Sequence, residues 1–305
     1  MIKVANAPCS WGTIEGYGTG IPYEQMLNEL VETGYQGTEL GDLGYMPTDP
    51  AKLREELVKR GLTMLGAYQG VNLREPNAVK ASRPRILTIA RLLAQVADPA
   101  RSPFFVLADQ NGHDPLRTRH AGRVTPELGL SPEAWQTFAH SAEEVARIVA
   151  GEAGLKTVFH HHCAAFVETP GEIAHFLDLT DPELIGLVFD TGHYVYGTGQ
   201  SDDGSLALEG MRRFGERVWY VHFKDCQPTV AARARRDGWD YTTAVKHGVF
   251  CELGQGSVDF AAIVAFLQDA GYDDWITVEQ DVLPGMGTPK ESARRNREYL
   301  RDLGL

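Results

Sequence analysis

Four places in the chain carry side chains able to ligate a metal ion, each at or near the end of a short apolar run. Lys156–His160 leads into three consecutive histidines, His160, His161 and His162; Ile185–Asp190 ends in a carboxylate; Trp219–Phe223 holds His222; Trp275–Glu279 ends in Glu279. Two carboxylates with imidazoles suit a divalent ion of intermediate hardness, Mn²⁺, Co²⁺ or Zn²⁺, whereas Mg²⁺ prefers oxygen throughout. Brought together without an ion, Asp190 and Glu279 repel each other, and a cation removes that cost. In an extended segment His160 and His162 share a face and His161 points away. Either of the two can meet the ion while the other hydrogen-bonds a substrate. Plainer readings exist: Asp190 as a helix cap, His222 as a satisfied core histidine. Glu279 resists one, because a buried carboxylate needs partners.

The elements that would position these groups alternate from end to end. Strand-like runs occur at Ile2–Pro8, Gly37–Leu40, Thr63–Tyr68, Phe104–Ala108, Lys156–His160, Ile185–Asp190, Trp219–Phe223 and Trp275–Glu279. The clearest helical segments are Tyr23–Thr33, Pro50–Arg60, Ala78–Ala97, Pro132–Ala153, Pro170–Leu177, Val258–Ala270 and Pro289–Asp302. Their apolar residues recur at helical spacing, as with Met26, Leu27, Leu30 and Val31. Several begin with Pro or a capping residue, and Gly34, Gly61, Gly154 and Gly271 follow helix ends, where a left-handed cap is wanted. Eight strand–helix units predict one (β/α)₈ barrel, a TIM barrel, over residues 1–305 as a single domain. No G-x-G-x-x-G follows the first strand, which argues against a doubly wound nucleotide-binding sheet. In a barrel the four groups lie on one rim, the carboxyl ends of the strands, where barrel enzymes hold their chemistry. Two long connections leave the same rim, Asp109–Ser131 and Lys224–Ser257. Lengths above roughly 12–15 residues favour walls or lids over a site; an oligomer contact is the competing use.

Composition narrows the function. Hydrophobic residues are 43% and charged residues 23% of the 305, enough for a large core. No run approaches the roughly 20 apolar residues of a membrane span, and the first residues lack an export signature. Four cysteines, Cys9, Cys163, Cys226 and Cys251, are too sparse for a disulfide framework, so a reducing cytoplasm is expected. Lys plus Arg number 29 against 41 Asp plus Glu, a formal charge of −12, which repels phosphate backbones and argues against a nucleic-acid partner.

The segments Gly34–Leu40 (GYQGTEL), Phe159–His162, Asp190–His193 (DTGH), Val221–Asp225 (VHFKD), Glu252–Phe260 (ELGQGSVDF) and Trp275–Glu279 (WITVE) carry a family resemblance. Over essentially its whole length the chain resembles the xylose-isomerase-like superfamily of sugar isomerases, epimerases and dehydratases. Asn6–Gly12 (NAPCSWG) and Glu279–Thr288 (EQDVLPGMGT) are similar to its inosose (2-keto-myo-inositol) dehydratase branch. The resemblance implies an ion held by Glu, Asp, His and Glu on strands five to eight. Asp190, His222 and Glu279 match three of those positions, and His160 stands where most relatives have Glu. His162 or water would complete the shell. His193 matches a position that meets substrate oxygens in relatives. The implied activity is that of a metal-dependent lyase removing water from a polyhydroxylated ketone. Alternatives are a sugar isomerase or epimerase, which shares the first proton abstraction, and a non-catalytic sugar- or cyclitol-binding barrel. Small homo-oligomers are common among such barrels.

Further rim residues receive expected roles. His193, Glu39 or one of the three histidines would take the α-proton. Lys224 would stabilise an enolate or a leaving hydroxyl. Trp11 offers a flat wall to a sugar face, and Tyr68, Gln69, Asp109 and Gln110, at the ends of strands three and four, would bind hydroxyls, with His162 beside them.

Overall fold

The computed structural model describes residues 1–12, 20–283 and 285–305. Pro284, inside the Glu279–Thr288 segment, lies outside them. The β-branched and apolar runs form parallel strands: β1 (Lys3–Asn6), β2 (Gly37–Thr38), β3 (in two segments, Thr63–Met64 and Gly66–Val71), β4 (Phe104–Asp109), β5 (Thr157–His160), β6 (Ile185–Asp190), β7 (Val218–Phe223) and β8 (Trp275–Val278). Neighbours pair in parallel from β2 through β1 to β8, then back through β7, β6, β5 and β4. The two segments of β3 close the ring, the first pairing with β2 and the second with β4. Leu65, between the segments, spans the join: its N–H donates to Thr38 O at 2.9 Å and its carbonyl accepts from Phe104 N at 2.8 Å. The expected barrel is present, with β3 extended to Val71.

Side chains alternate across the barrel wall with a period of two. Ala5, Leu65, Phe104, Val106, Val158, Val188, Tyr220 and Trp275 pack together inside the barrel. Their chain neighbours, among them Val4, Phe105, Leu107, Phe159, Leu187, Phe189, Val221 and Ile276, pack in the larger layer beneath the helices. The parity carries to the rim. Glu39, Tyr68, His160, His162, Asp190, His222, Lys224 and Glu279 are in phase with the interior; Gln69, Asp109 and His161 are in phase with the outer layer.

All seven expected helices form, with familiar start signals. Ser131 and Asp259 cap Pro132–Ala153 and Phe260–Asp269, and Thr169 with Glu172 makes a reciprocal capping box on Pro170–Leu179. Helices Thr191–Gly197 and Leu206–Phe214 between β6 and β7 lie outside the expected set. Asp190 caps the first of them through His193 N at 2.7 Å. Gly192 sits where a Cβ would stand 2.7 Å from Lys224 Cγ and 3.0 Å from its backbone carbon, so only glycine lets this helix start so close to the end of β7.

Both long connections fold. Asp109–Ser131 contains helix Pro115–His120, whose buried Arg117 forks onto Glu172 with two 2.8 Å contacts. Lys224–Ser257 contains helices Pro228–Asp237 and Tyr241–Lys246 and an antiparallel pair, Asp225–Cys226 with Phe250–Cys251. The buried Asp225 carboxylate ties this excursion down by accepting from the N–H groups of Cys226 (2.8 Å), Gly254 (2.9 Å), Gly256 (2.8 Å) and Val258 (3.1 Å). Among the described residues no helix is long and apolar enough to cross a membrane.

Candidate metal centre and catalytic site

β5, β6, β7 and β8 deliver His160, Asp190, His222 and Glu279 to one point on the rim, with ligand atoms from all four within 4.8 Å of one another. That span is close to twice a metal–ligand bond of about 2.0–2.3 Å. Specific atoms are left free for an ion. Asp190 spends Oδ1 on capping, and its Oδ2 is buried with no hydrogen-bond partner. His222 Nδ1 lies 3.2 Å from Glu279 Oε1 in a geometry that makes no hydrogen bond, and it too is buried and unpartnered. His160 Nε2 stands 3.9 Å from Asp190 Oδ2. Orphaned buried polar atoms are costly, and a divalent cation satisfies these together. Glu279 keeps 14% of its side chain exposed, which opens one edge of the group outward. The residues fit an ion with mixed nitrogen and oxygen ligands.

The electrostatics around this point alternate in sign. Burial works against a charged His222, but Glu279 and Glu39 more than offset it and raise its pKa to about 10, so an ion that binds Nδ1 displaces a proton from it. Burial raises Asp190 to about 7, with Lys224 pulling the other way. Burial would also raise Glu279, yet His222 and Lys224 hold it well below the ordinary carboxylate range. Lys224 is opposed by burial and rescued by Asp281, Glu279 and Asp190, so it stays charged. Its Nζ lies 3.2 Å from Asp281 Oδ2 and 3.4 Å from Glu279 Oε2. Burial, reinforced by His222, keeps His160 neutral, the form that ligates metals.

Beside the centre, His162 and His193 lie against each other with ring centroids 3.9 Å apart and planes inclined by 39°. Their hydrogen bonds assign opposite tautomers. His162 Nδ1 meets the Cys163 carbonyl at 2.6 Å, which can only accept, so Nδ1 carries the proton and Nε2 offers a lone pair. His193 Nδ1 accepts from Cys163 N at 3.4 Å, so its proton sits on the buried, unpartnered Nε2. Burial lowers both pKa values, His162 to about 4 and His193 well below its usual range, so both rings are neutral near pH 7. Phe250 backs the pair from the long connection: its ring is 4.7 Å from His193, with Lys224 Nζ 4.9 Å from its centre. The segment carrying His162 continues through Ala164 and Val167, both at φ 68°. A β-branched residue there is strained. Glu168 holds the turn by accepting from Ala164 N (2.9 Å) and Gly122 N (2.6 Å), while Asp109 Oδ2 accepts from Phe166 N at 3.1 Å.

The model of the xylose isomerase-like TIM barrel family matches residues 27–303. The chain belongs to the xylose isomerase-like TIM barrel family. Inosose dehydratase of Geobacillus kaustophilus is 31% identical over 300 residues, covering 98% of this chain and 93% of that protein. Inosose dehydratase of Klebsiella pneumoniae is 30% identical over 308 residues, covering 99% of this chain and 97% of its own. A crystal structure of IolI protein with a binding zinc atom superposes with a TM-score of 0.69 at 15% identity, covering 99% of this chain and 98% of that one. That last likeness concerns the fold.

On this family's rim the other expected residues divide by parity. Tyr68 faces inward, its ring 6.3 Å from His160, with its hydroxyl donated to Asn111 at 2.9 Å. Gln110 lies at the mouth near Gly70. Gln69 does not reach the cavity: it has outer parity, and its Oε1 accepts from Arg85 of helix Ala78–Val96 at 2.7 Å. Asp109 has outer parity too, and its Oδ2 accepts from Phe166 N at 3.1 Å, in the loop after β5. Trp11 is not a free wall; it is buried in the outer core layer, and Nε1–H donates to Glu29 at 2.9 Å. Glu39 sits behind His222 with Oε1 2.8 Å from Nε2. His161 points away, toward Phe189 and Tyr194, and its Nε2 accepts from Asp190 N at 3.2 Å. Sequence reasoning missed Asp281, Phe250, Tyr220 and Thr277. Tyr220 and Thr277 were legible as the residues two positions before His222 and Glu279 on the same strand face.

Proposed function

We propose that the chain is a metal-dependent carbon–oxygen lyase of the inosose dehydratase type, acting on 2-keto-myo-inositol or a close cyclitol ketone. The observation that carries the reading is the meeting of His160, Asp190, His222 and Glu279 beneath a pair of neutral histidines of opposite tautomer. The full-length similarity to proteins named inosose dehydratase supports the substrate class. His160, Asp190, His222 and Glu279 would hold the ion, with Zn²⁺, Co²⁺ or Mn²⁺ suited to the donor set. When bound, the ion supplies Lewis acidity to charge developing on a carbonyl oxygen.

The chain's own groups do the rest. His162 presents an unprotonated Nε2 and takes the proton from the carbon next to the ketone. His193 presents Nε2–H and donates a hydrogen bond to a substrate oxygen, so the abstracting role passes to its neighbour. Lys224, held charged between Asp281 and Glu279, keeps its proton and acts as a fixed positive charge beside the oxygen that gains electron density. The electron pair of the broken C–H bond forms the new C=C bond as the β-hydroxyl departs. The proton on His162 Nε2 joins that hydroxyl as water and restores the neutral ring. Its depressed pKa makes the protonated ring a ready acid for that second half.

The test combines metal analysis of the purified protein with an assay on 2-keto-myo-inositol, following ultraviolet absorbance of the dione. Wild type should contain stoichiometric divalent metal and release the dione. Asp190→Ala and Glu279→Ala should each lose both metal and turnover while keeping the circular dichroism of the folded barrel. Full turnover in either variant removes the ligand assignment, and a rearranged ketone formed without loss of water replaces the lyase by an isomerase.

A further inference from the structure

Behind the metal-ligand candidates runs a buried chain of polar groups that leads to no substrate. Glu39 follows β2 directly and is 4% exposed. Its Oε1 accepts from His222 Nε2 at 2.8 Å and from the Tyr220 hydroxyl at 2.9 Å. Thr277 Oγ1 meets the same Tyr220 hydroxyl. Tyr220 and Thr277 stand one step below His222 and Glu279 on the inner faces of β7 and β8, both fully buried. The directions of donation are fixed. A carboxylate only accepts, so both His222 Nε2 and Tyr220 must give protons to Glu39. Thr277 must then be the donor to Tyr220.

We infer that Glu39 is a positioning residue that sets the tautomer and orientation of His222 and so tunes the affinity of the centre for its ion. With Nε2 committed to Glu39, the nitrogen left for coordination is Nδ1, the unpartnered atom facing Asp190 and Glu279. The carboxylate's negative charge makes the opposite nitrogen a stronger donor, as outer carboxylates do for ligating histidines. Glu39 holds this place through tertiary structure alone, from a strand on the far side of the barrel from β5 and β6. The inference rests on the metal-centre reading given above.

The experiment measures Zn²⁺ affinity by competition with a chromophoric chelator, and the visible spectrum of the Co²⁺-loaded protein, for wild type, Glu39→Gln, Glu39→Ala and Tyr220→Phe. Outer-shell partners of this kind typically contribute about 10–100-fold in affinity. Glu39→Gln, which keeps shape and loses charge, should fall near the lower end, and Glu39→Ala near the upper. Both should shift the Co²⁺ bands. Tyr220→Phe leaves the His222–Glu39 contact intact and should stay close to wild type. Melting of the metal-free proteins separates affinity from folding, with the isosteric glutamine as the variant that keeps the barrel packed. Unchanged affinity and spectrum in Glu39→Gln and Glu39→Ala overturn the inference while leaving the metal centre standing. So does an equal loss in Tyr220→Phe, which would mark loosened packing. A wild-type protein that takes up neither ion overturns the metal reading and the clamp together.

Discussion

Asp225 follows His222 by three residues in VHFKD, and by type alone it invites a catalytic role. The structure gives it four backbone N–H groups to hold instead, and their number sets the size of a stability effect. In Asp225→Ala all four lose their acceptor. The Cys226 and Val258 bonds are fully buried, whereas those of Gly254 and Gly256 are partly so. Orphaning a buried donor costs about 1–3 kcal/mol, and donors that water can reach cost far less. Removing the carboxylate returns something, since burial already raises its pKa. The net expected loss is about 3–5 kcal/mol. Asp225→Asn keeps one oxygen, which would serve the buried pair, and turns its amide toward the two glycines, so about 1–2 kcal/mol is expected. Urea unfolding reads both: the midpoint should fall in the order wild type, Asn, Ala, with an unchanged denaturant slope. An alanine variant as stable as wild type would refute the count of hydrogen bonds as the reason for this residue. Space beside it leads to the same place, because a Cβ at Gly256 would stand 2.2 Å from Asp225 Oδ1 and 2.4 Å from Cys226 O.

Three other outcomes are expected. Burial raises Glu168 from 4.5 to about 7, with Arg117 opposing. The folded state therefore binds this proton more tightly than the unfolded chain, and the stabilisation present below about pH 4.5 is lost as pH rises through about 7. The loss is about 3 kcal/mol; Glu168→Gln should flatten that part of the stability profile, and an unchanged slope between pH 4.5 and 8 counts against it. Gly192→Ala should lower the melting temperature and activity together, since overpacking against the Lys224 backbone costs about 1–3 kcal/mol and moves that ammonium. His162→Gln should reduce kcat by about 10²–10⁴-fold as a lost proton acceptor, whereas His193→Gln, which retains an N–H donor, should lose less; the reverse order would exchange the two roles.

Much of this was legible in the sequence because barrels obey simple periodicities. Strand-end chemistry at His160, Asp190, His222 and Glu279 needed only the eight-fold alternation and the rule that such ends share a rim. Gln69 and Asp109 stand at strand ends but on the outer face, because position along a strand does not decide which face a side chain takes. Val106 and Phe104 are inside, so Asp109 belongs with Phe105 and Leu107 outside. That parity was available from the pattern. The clamp on His222 was not, because Glu39 and His222 are 183 positions apart and only ring closure brings them together. Nor were the His162 and His193 tautomers, which depend on the single carbonyl and single N–H of Cys163.

The plain and functional readings of a rim residue also proved to be poor alternatives. Asp190 caps helix Thr191–Gly197 with Oδ1 and leaves Oδ2 toward the centre. His222 is hydrogen-bonded in the core through Nε2, as a satisfied core histidine should be, and still presents Nδ1 on the other side. In each case the ordinary structural bond fixes the rotamer that aims the second atom. A carboxylate or imidazole has two donor positions at opposite ends of a rigid plane, so anchoring one orients the other without a further residue. The capping bond and the core bond are therefore the physical reason these side chains can serve a site at all. Removing either should loosen the aim of the remaining atom before it disturbs the barrel.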